Sequence, residues 1–288
     1  MPRRWNNGGL NRRQGVWSME NKGKLQQAQY ADPGKFNARI YLHRKFSTNP
    51  YPWPCWVFDQ FMKKEQASVL ELGGGNGLLW TVNAQRIPAL WDITVTDLSA
   101  GMLEDAKSNL QSASDRFRFE AMDAGNIPYP DGAFDIVIAN HMLYHVGDRG
   151  RALAEIRRVL KPGGVFYAST VGSRNMMEMK EWVQDFNPES NYTDALGSIE
   201  NRFSLDNGQE QLSPFFEQVQ LRLYEDSLLV TEPEAIVNYV LSLNGLVSER
   251  LVMDPRLADR FKEYIEEKMT LSGGKLHIQK SSGMFVSM

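Results

Sequence analysis

Between residues 67 and 170 the chain alternates short β-rich runs with helical stretches, and this alternation constrains the fold more than any other feature. The β-rich runs fall at 68–72, 93–97, 117–122, 134–139 and 164–170, with helix patterns at about 77–86, 99–112 and 148–160 between them. The last helix pattern sets Leu153, Ile156 and Leu160 on one face and stops at Lys161-Pro162-Gly163-Gly164. Strand, crossover helix and parallel strand connect with right-handed sense, so the pattern predicts an α/β domain, a parallel sheet between two helical layers. Ligands of such sheets bind at the carboxyl ends of the strands.

The flanking regions read differently. Residues 1–20 hold Arg3, Arg4, Arg12 and Arg13 but almost no aliphatic side chains, and read as a loose tail that cannot bury enough to offset its ordering entropy. A start at Met19 is the alternative. Residues 21–66 read as a helical cap of two or three short helices, broken at Asp32-Pro33-Gly34 and across Asn49-Pro50-Tyr51-Pro52-Trp53-Pro54. After Thr170 the alternation is lost. A polar stretch runs to about 213, residues 216–230 read as one or two strands, and helices follow at 233–243 and 255–271. Residues 275–288 read as a closing hairpin turning near Ser281-Ser282-Gly283. Residues 171–288 are thus expected to supply an insertion, extra helices and closing strands of the same domain as the 67–170 core.

Composition sets limits on function. Of 288 residues, 32 are basic and 35 acidic, a net charge of -3 that provides no global field for a polyanion, so nucleic acid is not an expected partner. The single cysteine, Cys55, can form neither an intramolecular disulfide nor a thiolate metal site, which fits a reducing cytoplasm. No segment reaches the roughly 18 uninterrupted apolar residues of a membrane span.

The strongest local signal is Val69-Leu70-Glu71-Leu72-Gly73-Gly74-Gly75-Asn76-Gly77, a buried strand running into a glycine turn and a helix. Such a turn lets backbone approach a ligand closely and aims a helix N-terminus at it. A dinucleotide fingerprint would need Gly or Ala at position 78 or 80, where Leu78 and Trp80 stand, and no Lys-Ser/Thr pair follows to make a P-loop. Glu71, inside the strand, repels a pyrophosphate and suits a cationic or ammonium-bearing ligand. Asp97 ends the second run, where a carboxylate can accept hydrogen bonds from both hydroxyls of a ribose. Ser99 is better placed than Asp97 to cap the helix that follows. Asp123-Ala124 closes the third run, and Ala139-Asn140-His141-Met142-Leu143-Tyr144-His145 follows the fourth.

Glu71-x-Gly73-x-Gly75-x-Gly77 resembles the first motif of class I S-adenosylmethionine-dependent methyltransferases, and the resemblance continues in order through about residue 170. The segment from Ala139 is similar to that of the ubiquinone/menaquinone C-methyltransferase-like branch. The resemblance implies a Rossmann-like three-layer sandwich with a mostly parallel seven-stranded sheet, an antiparallel closing strand and a helical N-terminal cap. It implies S-adenosyl-L-methionine as cofactor and S-adenosyl-L-homocysteine as product. Gly73, Gly75, Gly77 and Glu71 would serve the amino acid part, Asp97 the ribose, Leu98, Asp123 and Ala124 the adenine, and Asn140 the methionine part. The Asn/Asp-Pro-Pro-aromatic motif of enzymes that methylate amino groups on bases or glutamine is absent.

His141 and His145, four residues apart, could mark a metal pair, but no third ligand or water-activating carboxylate accompanies them, so no metal is expected. A neutral imidazole at the acceptor end could take a phenol, enol or hydroxyl proton, which makes His145 and His141 the catalytic candidates, with Tyr144 behind them and a structural hydrogen-bonding role as the alternative. Trp53, Trp56, Tyr30, Tyr41 and Trp182 fall in the segments that would form a lid. Arg39 and His43 sit one helical turn apart in the cap, where one would reach the cofactor carboxylate. The expected activity is O- or C-methylation of a small molecule. Its rivals are a cofactor-binding module without methyl transfer, and a nicotinamide-dependent oxidoreductase, against which Leu78 and Glu71 argue.

Overall fold

The computed structural model describes residues 33–245 and 251–288. The tail expected at 1–20 and the cap residues up to 32 lie outside the described residues. Helix α1 (Pro33–Phe46) starts at the Asp32-Pro33-Gly34 break, and α2 (Trp53–Gln60) starts inside the proline-aromatic stretch with Pro54 in its first turn.

The alternating core follows as β1 (Gln66–Leu72), α3 (Leu78–Asn83), β2 (Leu90–Asp97), α4 (Ala100–Leu110), β3 (Phe117–Ala121), β4 (Phe134–Asn140), α5 (Arg149–Val159) and β5 (Leu160–Val171). Local chemistry sets the helix ends. The Ser99 hydroxyl accepts from Met102 N at 3.3 Å to start α4, as expected, and Asp148 accepts from Arg151 N at 3.0 Å to start α5. The buried face of α5 is Ala152, Leu153, Ile156 and Val159, the spacing of an amphipathic helix laid on a sheet. That helix stops one residue before Leu160, which already pairs with Phe134 as the first residue of β5.

Beyond β5 come α6 (Met177–Phe186), α7 (Tyr192–Glu200), α8 (Gly208–Leu212), β6 (Val219–Tyr224), β7 (Ser227–Val230), α9 (Pro233–Ser242), α10 (Ala258–Leu271), β8 (Leu276–Gln279) and β9 (Ser282–Ser287). The main sheet has seven strands in the order β3-β2-β1-β4-β5-β9-β6. Its β1–β5 pairings are parallel, and β9 runs antiparallel to both neighbours. The expected closing hairpin is corrected: β8 and β9 do not pair with each other. A period-2 apolar pattern specifies a strand but not its partner; β8 pairs with β7 in a separate two-stranded sheet, while β9 enters the main sheet.

Three apolar clusters follow. Two lie on the faces of the main sheet, around Leu70, Val137, Ile156 and Phe166 on one side and Val69, Trp80, Ile93 and Ile138 on the other. Residues 134–139 of β4 are all buried, as befits a strand covered on both faces. The third cluster, around Leu42, Phe46, Met179, Ile236, Val240, Phe261, Ile265 and Ile278, belongs to a cap built from α1, α6, α9, α10, β7 and β8. The cap draws on both flanks of the alternating core, with α1 against α9 and β7.

Candidate active site

At the carboxyl end of β1 the glycine turn adopts left-handed backbone at Gly73 (φ 68°), Gly75 (φ 55°) and Gly77 (φ 73°). A Cβ at Gly73 would lie 2.8 Å from Cβ of Met142, so the turn is also packed too closely for a side chain. Gly74 N donates to Thr96 O at 2.8 Å and Gly75 N to Asp97 Oδ2 at 3.0 Å, tying the turn to the end of β2. Glu71 is buried beneath it, its carboxylate accepting from Trp80 Nε1 at 2.6 Å. Desolvation pushes the Glu71 carboxyl up to about 7, opposed by the indole hydrogen bond and assisted by the charge of Asp97. Glu71 thus lies under the turn and is held by an indole that the sequence shows only as a residue spoiling a dinucleotide fingerprint.

Asp97 lies at the strand end, with Oδ1 accepting from Ser99 N at 2.9 Å and Oδ2 from Gly75 N. Desolvation raises its pKa against those backbone bonds. Beside it Leu98 is 55% exposed, an apolar side chain facing outward next to a fixed carboxylate. Across β3, Asp123 is exposed and accepts from Gly125 N at 2.8 Å, while Ala124 is buried. The structure thus brings Glu71, the glycines, Asp97, Leu98, Asp123 and Ala124 to one edge of the sheet, at the ends of β1, β2 and β3.

Asn140 ends β4 and accepts a short hydrogen bond from the Ser169 hydroxyl, whose oxygen in turn accepts from His141 N at 3.0 Å. His141 has φ 52°, and the short 3-10 turn begins only at Leu143, so His141 and His145 do not share a helical face. Among the described residues no group of three or more His, Cys, Asp or Glu is arranged to hold a metal ion. Burial lowers both imidazoles to about 4, with Lys280 and His145 adding to the effect at His141, and Arg202 and Arg39 at His145. Both rings are neutral at pH 7.

On the cap side, Trp53 stacks on Trp56 with centroids 5.2 Å apart, meets Tyr224 edge-on at 5.2 Å and lies 5.1 Å from the His141 ring. These two tryptophans of the expected lid therefore form one aromatic cluster with Tyr224 and His141. Tyr41 instead donates to Glu232 at the surface, and Trp182 packs on the cap core; Tyr30 is outside the described residues. Arg39 donates to Ser242 O at 3.0 Å, joining α1 to α9, and His43 lies edge-on to Tyr239 with its Nδ1 buried and unpartnered. Sequence reasoning missed Lys280 and Asp226, whose side chains are 8% and 0% exposed and 2.5 Å apart. They stand 54 residues apart on strand flanks that look like ordinary polar turns, so no local signal marks them.

Residues 70–168 match the methyltransferase domain family. That stretch, about a third of the chain, is similar to a methyltransferase domain. The chain is 32% identical over 158 residues to the malonyl-[acyl-carrier protein] O-methyltransferase of Geobacter sulfurreducens, covering 55% of this chain and 53% of that protein. It is 32% identical over 114 residues to the ubiquinone/menaquinone biosynthesis C-methyltransferase of Hahella chejuensis, covering 39% of this chain and 46% of that protein. The chain thus spans about half the length of these curated relatives. A solved structure of Haemonchus contortus phosphoethanolamine N-methyltransferase 2 in complex with S-adenosyl-L-methionine shares the fold, with TM-score 0.54 and 19% identity over 93% of this chain and 59% of that one.

The methyltransferase domain contains the glycine turn, Asp97, Leu98, Asp123, Ala124, Asn140, His141 and His145. His43, Trp53, Trp56, Tyr224, Asp226 and Lys280 all fall outside it. The matched segment thus carries the residues at the strand ends, while the aromatic cluster and the Lys280–Asp226 pair draw mostly on its flanks.

Proposed function

We propose that this protein transfers a methyl group from S-adenosyl-L-methionine to a small-molecule acceptor by O- or C-methylation, leaving S-adenosyl-L-homocysteine. The observation that carries this reading is the turn at Gly73, Gly75 and Gly77, tied to Asp97 with Leu98 exposed beside it, inside a matched methyltransferase domain. These residues suit the cofactor: left-handed glycines leave backbone open to the amino acid part over Glu71. Asp97 retains lone pairs for ribose hydroxyls, Leu98 and the Asp123-Ala124 backbone suit adenine, and Asn140 suits the methionine part. When bound, the cofactor supplies an electrophilic methyl carbon.

The chain's own contribution is alignment of the acceptor in a water-poor cleft. Trp53, Trp56, Tyr224 and His141 offer an apolar, aromatic wall for a planar or apolar acceptor. His145 and His141 are neutral at pH 7 and, lowered to about 4, are weak bases, so they line the site and would take a proton only from an acidic acceptor. The single cysteine supports a cytoplasmic location, and no helix among the described residues is long and apolar enough to cross a membrane. The test is incubation of the full chain with labelled cofactor and cell extracts, followed by mass spectrometry. A methylated small molecule with matching release of S-adenosyl-L-homocysteine is expected; cofactor binding without that release would make the protein a binding module.

A further inference from the structure

Lys280 sits in the two-residue link between β8 and β9 with its side chain almost wholly buried. Among the described residues its one hydrogen-bond acceptor is Asp226 Oδ2, while Tyr224 presents a ring face 5.7 Å from Nζ. Asp226 is bonded to excess: Oδ1 accepts from the Ser47 hydroxyl at 2.7 Å, Ser227 N at 2.8 Å and Asn49 N at 3.1 Å. The carboxylate is satisfied without the lysine, whereas an ammonium carries three donors and this one has, among the described residues, a single oxygen to give them to. Buried cations are costly unless their donors are used, and a pair serving only the fold would be expected to balance both partners.

Two buried polar atoms in the same cluster also lack partners among the described residues. Nε1 of Trp53, a donor, is buried without a partner, and so is Nδ1 of His43. Trp53 borders His141, the residue after Asn140, so this cluster adjoins the end of the cleft that suits the methionine part. The charged and titratable groups acting on His43, His141 and His145 are Lys280, Arg39, Arg202 and Asp226, three cations to one anion. Tyr239 lies against His43.

We propose that Lys280, fixed by Asp226, binds the reacting group of the acceptor as an oxyanion, so that the acceptors are planar molecules bearing a phenolate, enolate or carboxylate rather than an amine. This rests on the methyltransferase reading. The acceptor enters already ionised, its proton left in solvent, with its plane against Trp53 and its oxygen at Lys280 Nζ and Trp53 Nε1. An ammonium-bearing acceptor meets repulsion from the same cations. Neutral histidines of low basicity fit this arrangement, since an acceptor that arrives as its anion needs no base.

The test uses the full chain saturated with S-adenosyl-L-homocysteine and 4-nitrophenol as probe, because its phenolate absorbs visible light and its phenol does not. At a pH below the probe's free ionisation point, the wild type is expected to raise the phenolate band and to bind the probe more tightly than its neutral ether 4-nitroanisole. Lys280→Met is expected to weaken phenolate binding more than about tenfold and Lys280→Arg to retain most of it. The double variant Lys280→Met/Asp226→Asn removes both buried charges, so it separates loss of the cation from loss of fold. It is expected to bind S-adenosyl-L-homocysteine as the wild type does and to lose the phenolate preference. No phenolate band with the wild type, equal affinity for the ether, or an unchanged band in the double variant would each overturn the proposal. Absence of S-adenosyl-L-homocysteine binding by the wild type would instead overturn the methyltransferase reading itself.

Discussion

The two sides of the cleft are built in opposite ways. The cofactor side comes from consecutive strand ends within residues 70–168, held by backbone hydrogen bonds such as Gly75 N to Asp97 and Gly74 N to Thr96. The proposed acceptor side is assembled from side chains brought together across the chain, His43 and Trp53 from before the sheet and Tyr224, Asp226 and Lys280 from its later part. Backbone geometry tolerates one kind of residue at each glycine, so that side is rigid and uniform. Side-chain walls can change one residue at a time, and under the proposed function the acceptor would be chosen there.

The largest effect is expected on the cofactor side. Gly73→Val places a branched side chain at φ 68° and against Met142, and is expected to cost about 3 kcal/mol or more of stability and to abolish cofactor binding. Chemical denaturation and calorimetry check both; retained binding would show that the turn is not the rigid half. Next, Ile236→Ala in the cap core is expected to cost about 2–5 kcal/mol while leaving cofactor affinity within a few fold, because Ile236 belongs to the cluster apart from the main sheet.

The two sides also titrate in opposite directions. Glu71 is raised from 4.5 to about 7, so between those values the unfolded chain gives up a proton that the fold keeps, and this contribution to stability falls as pH rises. His43 is lowered from 6.5 to about 3, and His141 and His145 to about 4. As pH falls from about 6.5 towards 4, the unfolded chain binds protons that the fold refuses, so their contribution falls as pH falls. Three lowered imidazoles against the raised carboxyls of Glu71 and Asp97 predict that stability to urea climbs from pH 4.5 to 6.5. Glu71→Gln should steepen the climb and His43→Gln should flatten it; a wild-type stability that falls over this range would contradict the assignment. The smallest effect is expected from Leu98→Ala, which should weaken cofactor binding by about tenfold or less with little change in stability, since the side chain is half exposed.

The same contrast explains what could be read from the sequence. Strand positions 68–72, 93–97 and 134–139 carry runs of apolar and β-branched residues, and they became β1, β2 and β4 with small shifts at their ends. The glycine turn and Asp97 were legible because their chemistry is local: a glycine at positive φ and a carboxylate at a strand end announce themselves within a few residues. The pairing of β8 with β7 was not, because alternation in 276–279 says which face is apolar and nothing about which edge is near. Lys280 and Asp226 were invisible for the same reason, each being an ordinary charged residue until the fold buries the two together. Trp53 and Trp56 fell between these cases: their segment marked them as lid residues, and only the fold set them against His141 and Tyr224.

The most direct test of the central claim is calorimetric titration of the full chain with S-adenosyl-L-methionine, for the wild type and for Asp97→Ala. The account predicts submillimolar binding by the wild type and a loss of at least about tenfold in the variant, the scale of a charge-assisted hydrogen bond to ribose. No binding by the wild type, or equal binding by both, would contradict it.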